Sequence, residues 1–352
     1  MDNITQFSFK RVETVQKKLK DYSGYLICDP VNLFYLTGFS DADVLFVICK
    51  NQLFFFLPEM LINQFKNRFP AARCIRLNKL PKDLDVLKKE RIKKVIIDTK
   101  RISYDFGQKI SKNKYFLYEF IKEDTILDKM RMIKDKYEIN CISKACEIAA
   151  KTFKWVRGIV KMGMTEEYLA RLIKQKMLSL GADGVSFEPI VAFGSNTSYP
   201  HYVSSNTKIG KQGPLLLDFG CSFKGYNSDL TRTIYLGRIS KLYDKIYQIV
   251  SLAQEKAISL IRPGKALLKV DKTARDIIGS KGYKKYFTHS LGHGIGLEVH
   301  EFPRVSKKSS DKAASGMVLT VEPGIYVPGF GGVRIEDVVL VTNSGCDVLT
   351  EL

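Results

Sequence analysis

Hydrophobic residues follow two different spacings along this chain of 352 residues. In residues 11–21, Val12, Val15 and Leu19 fall on one stripe of a short helix. The runs GYLICDP, VLFVICK, QLFFFLP and KKVIIDT follow, each bounded by charged or turn residues, and helix-like segments such as MLINQFKNRF separate them. Short runs of this kind are typical of strands, so the pattern predicts a small α/β domain that ends near residue 122.

A helical spacing begins near residue 133 and predicts one long helix. The apolar positions recur with alternating gaps of three and four, at Ile139, Ile142, Cys146, Ala149, Phe153, Val156 and Val160. KMGM ends this helix, Thr165 is a favourable N-cap for the next one, Glu166 suits its positive end, and Gly181 follows its last turn. Strand-like runs come next: EPIVAFG, GPLLLDFG and YNSDLTRTIYL.

The same order of elements then occurs again. Helices are predicted over about 241–261 and 266–279, with RPG between them, and the strand runs GMVLTVEPGIYV and GVRIEDVVLV follow. Gly163 and Gly264 occupy the matching breaks between helices. The two halves share negligible sequence identity, so the prediction of a duplicated architecture depends on the order of elements alone.

Composition and charge favour a cytoplasmic protein without a membrane or nucleic-acid partner. The net charge is +19, but the lysines are dispersed and no long basic block alternates with aromatic residues, which favours a lysine-rich surface. The seven cysteines include no CxxC pair, so we expect reduced thiols. The first sixteen residues lack the apolar segment of a signal peptide, and no apolar run approaches the ~20 residues of a membrane helix.

Four carboxylates interrupt the apolar strand runs of the second half. Asp218 ends LLLDFG, Asp229 lies in YNSDLTRT, and a turn near residue 224 would place the two roughly opposite each other, within ~5 Å on one face of a hairpin. Glu322 in TVEPGIY and Glu336 in VRIED are related in the same way around PGFGG. Paired like charges destabilise a fold unless they are neutralised, so the pattern favours a metal site over exposed acids.

The four histidines of the chain are concentrated near these acids. Three lie in THSLGHGIGLEVHE, at His289, His293 and His300, and the fourth is His201. Four carboxylates balance the charge of two divalent cations, and one neutral imidazole adds a ligand without changing that balance. GHGIG is a poor helix, so we interpret only one histidine of the HxxxH pair as a ligand. Oxygen-rich ligation with one histidine suits Mn²⁺, with Co²⁺ or Zn²⁺ as alternatives.

Five segments in order resemble the motifs of the Xaa-Pro peptidases, aminopeptidase P and prolidase, of the creatinase–methionine aminopeptidase superfamily. They are PHYVSSN, LLDFGCSFKGYNSDLTRT, HSLGHGIGLEVHE, VEPGIYV and GGVRIEDVV, and NLFYLTGF at 32–39 resembles the start of that family's N-terminal domain. The resemblance covers nearly the whole chain. It implies a smaller N-terminal creatinase-like α/β domain, expected over 1–125. A C-terminal domain with the pita-bread fold, a duplicated α+β domain with a curved antiparallel sheet, is expected over 126–352.

The resemblance also implies the role of each site residue. The ligands of two divalent ions would be Asp218, Asp229, His293, Glu322 and Glu336. The catalytic residues would be His300 and His201, which face the substrate, and Glu322, which carries a proton to the leaving nitrogen. His289, Tyr326 and Arg334 would line the cleft or support the ligands.

The implied reaction is hydrolysis of the bond between an N-terminal residue and a following proline in small peptides, by a hydroxide that bridges two metal ions. A homodimer is implied as well. Methionine aminopeptidase is an alternative, which the N-terminal ~120 residues disfavour. A creatinase-like hydrolase and a non-enzymatic nucleic-acid- or protein-binding relative are weaker alternatives, because the ligand set is whole. The sequence does not separate a dipeptidase from an aminopeptidase.

Overall fold

The computed structural model describes residues 3–122 and 125–352. The chain divides into two compact units, residues 1–130 and 131–352, whereas the sequence motifs place the division at residue 125. Among the described residues, no helix combines the length and the apolar character that crossing a membrane requires.

The first unit is built around a six-stranded mixed sheet. Its helices are α1 (Asn3–Lys18), α2 (Pro30–Thr37), α3 (Ile62–Arg68), α4 (Val86–Lys89) and α5 (Tyr104–Ser111), and α6 (Ile126–Met132) spans the division. Its strands are β1 (Ser23–Ile27), β2 (Leu45–Cys49), β3 (Leu53–Leu57), β4 (Arg73–Arg76), β5 (Lys94–Asp98) and β6 (Leu117–Ile121). The strand order is β4-β3-β2-β1-β5-β6, with β1 parallel to β5 and antiparallel to β2.

Burial explains why the strands of this sheet appear as continuous apolar runs. All five residues of β2 are buried, as are four of the five in β3, so both faces of these strands are covered. Phe46 of β2 stacks on Phe55 of β3, with ring centroids 4.1 Å apart. Helix α1 begins eight residues earlier than the stripe of Val12, Val15 and Leu19 predicts, but those three side chains are buried as expected.

The second unit contains four long helices and a set of antiparallel strands. The helices are α7 (Lys136–Ile159), α8 (Glu166–Ser179), α9 (Lys241–Ile258) and α10 (Leu267–Ser280). The strands of its first half are β7 (Gly184–Val185), β8 (Ile190–Phe193), β9 (Gly213–Phe219), β10 (Cys221–Phe223), β11 (Tyr226–Asn227) and β12 (Leu230–Leu236). Those of its second half are β13 (Gly292–Gly294), β14 (Glu301–Val305), β15 (Val318–Val321), β16 (Gly324–Val327), β17 (Gly331–Arg334), β18 (Asp337–Val341) and β19 (Cys346–Val348).

Each half of this unit packs two helices on one antiparallel sheet. In the first half, α7 and α8 share a core with the sheet of order β12-β9-β8, to which Phe153, Ile173 and Leu217 belong. In the second half, α9 and α10 share a core with the sheet of order β14-β13-β15-β18-β19, to which Val250 and Leu319 belong. Two smaller sheets have the strand orders β11-β10-β7 and β16-β17.

The breaks between paired helices have the same hydrogen bonds in both halves. The amide of Gly163 donates to the carbonyl of Ile209 at 2.9 Å, and the amide of Gly264 donates to the carbonyl of Ala313 at 2.8 Å. Both glycines have a left-handed backbone, with φ of 90° and 84°. The matching contacts support the duplicated architecture that the order of elements predicts.

The side chain at the N-cap of α8 stabilises the start of this helix. The hydroxyl of Thr165 accepts a hydrogen bond from the amide of Tyr168 at 3.1 Å. We expect Thr165→Ala to lower the free energy of unfolding of the second unit by about 1 kcal/mol, because one amide of the first turn loses its partner. Urea denaturation followed by the fluorescence of Trp155, the only tryptophan, measures this change, since Trp155 packs against the core of α7 and α8.

Thr165→Ser is the matched control for this prediction, because it keeps the hydroxyl while losing the same methyl group. Equal destabilisation by the alanine and serine variants would show that the hydroxyl contributes nothing.

Candidate active site

The first pair of acids lies on the hairpin formed by β9–β12. Asp218 is opposite Thr231, and the same register continued towards the turn at Lys224 places Asp229 opposite Gly220. The two acids are therefore diagonal neighbours on one face, not directly opposed as the spacing predicted. The turn itself is where the sequence places it.

Gly220 permits the close approach of the two strands at this point. A Cβ atom there would lie 1.9 Å from the carbonyl oxygen of Ser228, which no larger residue tolerates. The amide of Cys221 donates to the hydroxyl of Ser228 at 3.1 Å, so a side chain accepts this amide between the two strands. Because the two strands lie so close together here, the carboxylate of Asp229 occupies the same region as that of Asp218.

The second pair of acids lies between two antiparallel strand pairs, β15–β18 and β16–β17. The β15–β18 pairing before the break and the β16–β17 pairing after it keep a single register. That register places Glu322 directly opposite Glu336, as the sequence predicts. Pro323 follows Glu322, and its carbonyl accepts the amide of Ile335 at 3.4 Å, so the strands stay together across the break.

His293 of β13 completes a cluster with these acids. Ligand atoms of Asp229, His293 and Glu336 all lie within 4.8 Å of one another. Nε2 of His293 is 3.9 Å from Oδ2 of Asp229 and 3.3 Å from Oε1 of Glu322. Its Nδ1 lies 3.1 Å from the carbonyl of Gly294, which favours a proton on Nδ1 and leaves Nε2 as the atom that faces the acids.

Burial sets the electrostatics of the cluster. It raises the pKa of Asp229 well above the usual value, and the neighbouring charge of Asp218 raises it further. Burial and the charge of Asp229 do the same to the pKa of Glu336. Burial alone would lower the pKa of His293, but its hydrogen bond to Glu322 and the nearby carboxylates raise it to about 9.

The donor set fits a cationic ligand. Two carboxylate oxygens, Oδ1 of Asp218 and Oδ1 of Asp229, are buried and have no hydrogen-bond partner within the part of the chain that the structure describes. Buried charges are stable when they are paired or coordinate a metal. Four convergent carboxylates and an imidazole nitrogen are a suitable set for divalent cations of hard or borderline character.

Arg334, Tyr326 and His289 form a hydrogen-bonded chain beside the cluster. Nη2 of Arg334 donates to Oδ2 of Asp218 at 2.5 Å, and Nη1 donates to the hydroxyl of Tyr326 at 2.7 Å. That hydroxyl is 2.9 Å from Nε2 of His289, whose Nδ1 is 2.8 Å from the carbonyl of Ser290. Burial lowers the pKa of His289, so the neutral ring accepts from Tyr326 and donates to Ser290.

The structure brings the remaining two histidines to the same region. The ring of His300 lies 4.3 Å from that of His293. His300 is exposed at one side, but partial desolvation by the surrounding protein, together with the charge of His293, lowers its pKa. His201 is exposed, yet its charge also lowers the pKa of His300. The carbonyl of Pro200 next to His201 accepts from Arg334 at 3.4 Å, so this segment borders the cluster.

Thr231 also contacts the cluster, although the sequence motifs do not single it out. Its hydroxyl donates to Oε2 of Glu336 at 2.6 Å and accepts from Nε of Arg334 at 3.1 Å. Strand periodicity contained the necessary indication, because Thr231 lies two positions after Asp229 and so faces the same side.

Glu166 does more than place a favourable charge at the start of α8, which is all that the sequence predicts for it. The buried carboxylate accepts the hydroxyl of Tyr202 at 2.8 Å and the amide of Ser205 at 3.2 Å. These contacts anchor the segment that carries His201. Nothing in the local sequence indicates contacts that join residues so far apart.

Comparisons with known proteins place the chain in a family. The model of metallopeptidase family M24 matches residues 140–343, and that of the creatinase/prolidase N-terminal domain matches residues 11–133. An Xaa-Pro dipeptidase of Pyrococcus horikoshii is 36% identical to the chain, and the match covers 100% of the chain and 98% of that relative.

Solved structures are similar over the same extent. An Xaa-Pro dipeptidase from Bacillus anthracis has a TM-score of 0.92 at 32% identity and covers 98% of each chain. An X-Pro aminopeptidase from Thermotoga maritima has a TM-score of 0.85 at 33% identity, over 96% of this chain and 98% of that one. The predicted two-domain α/β fold and the predicted enzyme class are confirmed. The chain belongs to metallopeptidase family M24 and carries a creatinase/prolidase N-terminal domain before its M24 domain.

Proposed function

We propose that the chain is an Xaa-Pro peptidase, which hydrolyses the bond between an N-terminal residue and a following proline with the help of two divalent metal ions. The observation that carries this proposal is the convergence of Asp229, His293 and Glu336 within 4.8 Å, with Asp218 and Glu322 adjoining. The relatives named Xaa-Pro dipeptidase support the choice of substrate, since the match covers 98% of each of them.

Five side chains would hold the metal ions: Asp218, Asp229, His293, Glu322 and Glu336. Mn²⁺ is the proposed metal, because oxygen donors with a single imidazole suit it. When bound, such ions would polarise the scissile carbonyl and lower the pKa of a bound water molecule towards about 7. The protein holds the ligands in place through Arg334, which is bonded to Asp218, and Thr231, which is bonded to Glu336.

Glu322 is the proposed carrier of the proton that the leaving nitrogen needs. That nitrogen belongs to proline and has no hydrogen before cleavage, so a proton must be delivered. Burial would raise the pKa of Glu322, but its hydrogen bond to His293 and the charge of that histidine lower it, so the side chain is an ionised carboxylate with a free site for a proton. His293 and His289 both lie within 4 Å of its oxygens.

His300 and His201 are proposed to contact the substrate. A neutral His300 next to the cluster can donate a hydrogen bond to the carbonyl oxygen as negative charge develops on it. His289 and Tyr326 are proposed to border the cleft and to keep Arg334 oriented, since all three share one chain of hydrogen bonds.

Two further properties belong to the proposal. A cytoplasmic location is supported by the seven cysteines, all of which are free thiols. A homodimer is proposed on the resemblance to the Xaa-Pro peptidases alone.

Peptidase activity should depend on metal. We expect a chelator followed by dialysis to abolish hydrolysis of an Xaa-Pro dipeptide, and Mn²⁺ to restore it, because the ligand set is otherwise a cluster of unneutralised charge. Circular dichroism of the chelated sample is the control for unfolding. Full activity in a sample shown by elemental analysis to contain no metal would contradict the assignment.

Asp229→Asn should abolish activity without destabilising the metal-free protein. The substitution removes one charge from a cluster in which Asp218 and Glu322 repel it, so the metal-free variant should melt at or above the temperature of the metal-free wild type. Calorimetry and a metal-binding titration measure the two effects. Asp347→Asn, at an exposed position of β19, is the matched control. A much lower melting temperature with normal metal affinity would make Asp229 structural.

Hydrolysis should favour proline at position two. We expect Ala-Pro-led peptides to be cleaved roughly 10- to 200-fold faster, in kcat/KM, than Ala-Ala-led peptides, since a few buried methylenes discriminate by about 1–3 kcal/mol. A preference for Met-Ala-led peptides would move the chain to the methionine aminopeptidases. Comparison of Ala-Pro with a tripeptide that begins Ala-Pro separates a dipeptidase from an aminopeptidase.

His300→Ala should lower kcat on Ala-Pro by on the order of 100-fold or more, and raise KM by less, because the contact strengthens as the oxyanion forms. Steady-state kinetics beside Lys307→Ala, an exposed surface variant, provide the measurement. Unchanged turnover would remove His300 from the mechanism.

A further inference from the structure

The segment that carries His300 is tied to the start of the second unit by buried ion pairs. His300 lies just before Glu301, the first residue of β14, and Glu298 lies two positions before it. Nη2 of Arg131 donates to Oε2 of Glu298 at 2.7 Å and to Oε2 of Glu301 at 2.5 Å. Nζ of Lys134 donates to Oε1 of Glu301 at 2.8 Å. Two cations therefore hold the chain on both sides of one histidine.

These charges are removed from solvent. The side chain of Lys134 is 0% exposed, those of Arg131 and Glu301 are 3% and 6% exposed, and that of Glu298 is 30% exposed. Burial would raise the pKa of Glu301, but Lys134 and Arg131 lower it, so the glutamate is charged. A buried ion pair is costly to break because the remaining partner is left uncompensated, so the geometry of this cluster is strongly constrained.

The opposite side of the segment is fixed by the first half of the unit. The backbone amide and the side-chain amide of Asn227 both donate to the carbonyl of Gly296, at 2.8 and 3.0 Å. A Cβ atom on Gly296 would lie 2.5 Å from Oε1 of Glu301, so the turn packs directly on the carboxylate that Lys134 and Arg131 hold. The path from residue 296 to residue 301 is therefore fixed at both ends.

The segment adjoins the proposed metal ligands but contains none of them. His293 precedes the segment, Asn227 lies two positions before Asp229, and the ring of His300 is 4.3 Å from that of His293. A displacement of about 1 Å at such a position is enough to cost roughly 100-fold in rate, even when the change lies outside the reacting groups.

We infer that Arg131 and Lys134 are positioning residues, which set the location of the His300 imidazole through Glu298 and Glu301. The inference rests on the proposed function, in which His300 contacts the substrate. It assigns a role in the reaction to two cations at the junction before α7, far from the metal-ligand motifs in sequence.

Glu298 offers the mildest test, because it is partly exposed and its loss leaves the Glu301 pairs with Arg131 and Lys134 intact. Glu298→Ala should lower kcat on Ala-Pro by about 10- to 100-fold and change KM less, with melting temperature and metal content close to wild type. Glu298→Gln keeps an oxygen acceptor for Arg131 and should recover most of the turnover. Arg131→Met should have a larger effect of the same kind.

A double-mutant cycle with His300→Ala distinguishes positioning from a general structural effect. If Arg131 and Glu298 act through His300, adding Glu298→Ala to His300→Ala should lower kcat no further. The control is Ile173→Ala in α8, a core change that lowers the melting temperature but should leave the kcat of the folded protein unchanged.

Three results would overturn the inference. The first is that Glu298→Ala lowers kcat by the same factor in the wild type and in the His300→Ala variant. The second is that Glu298→Ala and Arg131→Met leave kcat unchanged while His300→Ala lowers it. In both cases the proposed function stands. The third is unchanged turnover in His300→Ala itself, which removes the role of His300 in the proposed function and the inference with it.

Discussion

Repulsion among four carboxylates, three of them buried and one half-buried, is the constraint on which the rest of the second unit depends. Asp218, Asp229, Glu322 and Glu336 converge in a space where burial alone disfavours their charged forms. Arg334 compensates one of them directly, and a protonated His293 adjoins two others. In the proposed function a bound cation would stabilise this arrangement, so the folding energy of the scaffold and the affinity for metal would be coupled.

The duplicated architecture is what allows the acids to meet. Each half supplies two helices packed on an antiparallel sheet, and each sheet contributes one pair of carboxylates at a break in its strands. The contacts that orient the acids cross between the halves: Thr231 of the first bonds Glu336 of the second, and Arg334 of the second bonds Asp218 of the first. Neither half alone contains a complete site.

The histidines that are concentrated near the acids are held in place by hydrogen bonds. His293 faces the acids through Nε2 while its other nitrogen is held by a backbone carbonyl, and His289 ends a chain of hydrogen bonds that begins at Arg334. The carbonyl that holds His293 belongs to its own strand, β13, whereas the hydroxyl that holds His289 comes from Tyr326 of β16. The segment with His300 has a comparable support from Arg131 and Lys134, which makes the junction before α7 part of the site's framework.

The sequence by itself determined the helix pairs, the four acids and the opposition of Glu322 to Glu336, because periodicity and turn residues are local properties that the fold preserved. It did not determine that Asp229 faces Gly220, since that register depends on the close approach of a backbone carbonyl. Nor did it indicate the contacts of Glu166 or the buried pairs of Arg131 and Lys134. Charged residues such as these appear solvent-exposed in a sequence, and only tertiary packing decides which of them lose their water and find a partner far along the chain.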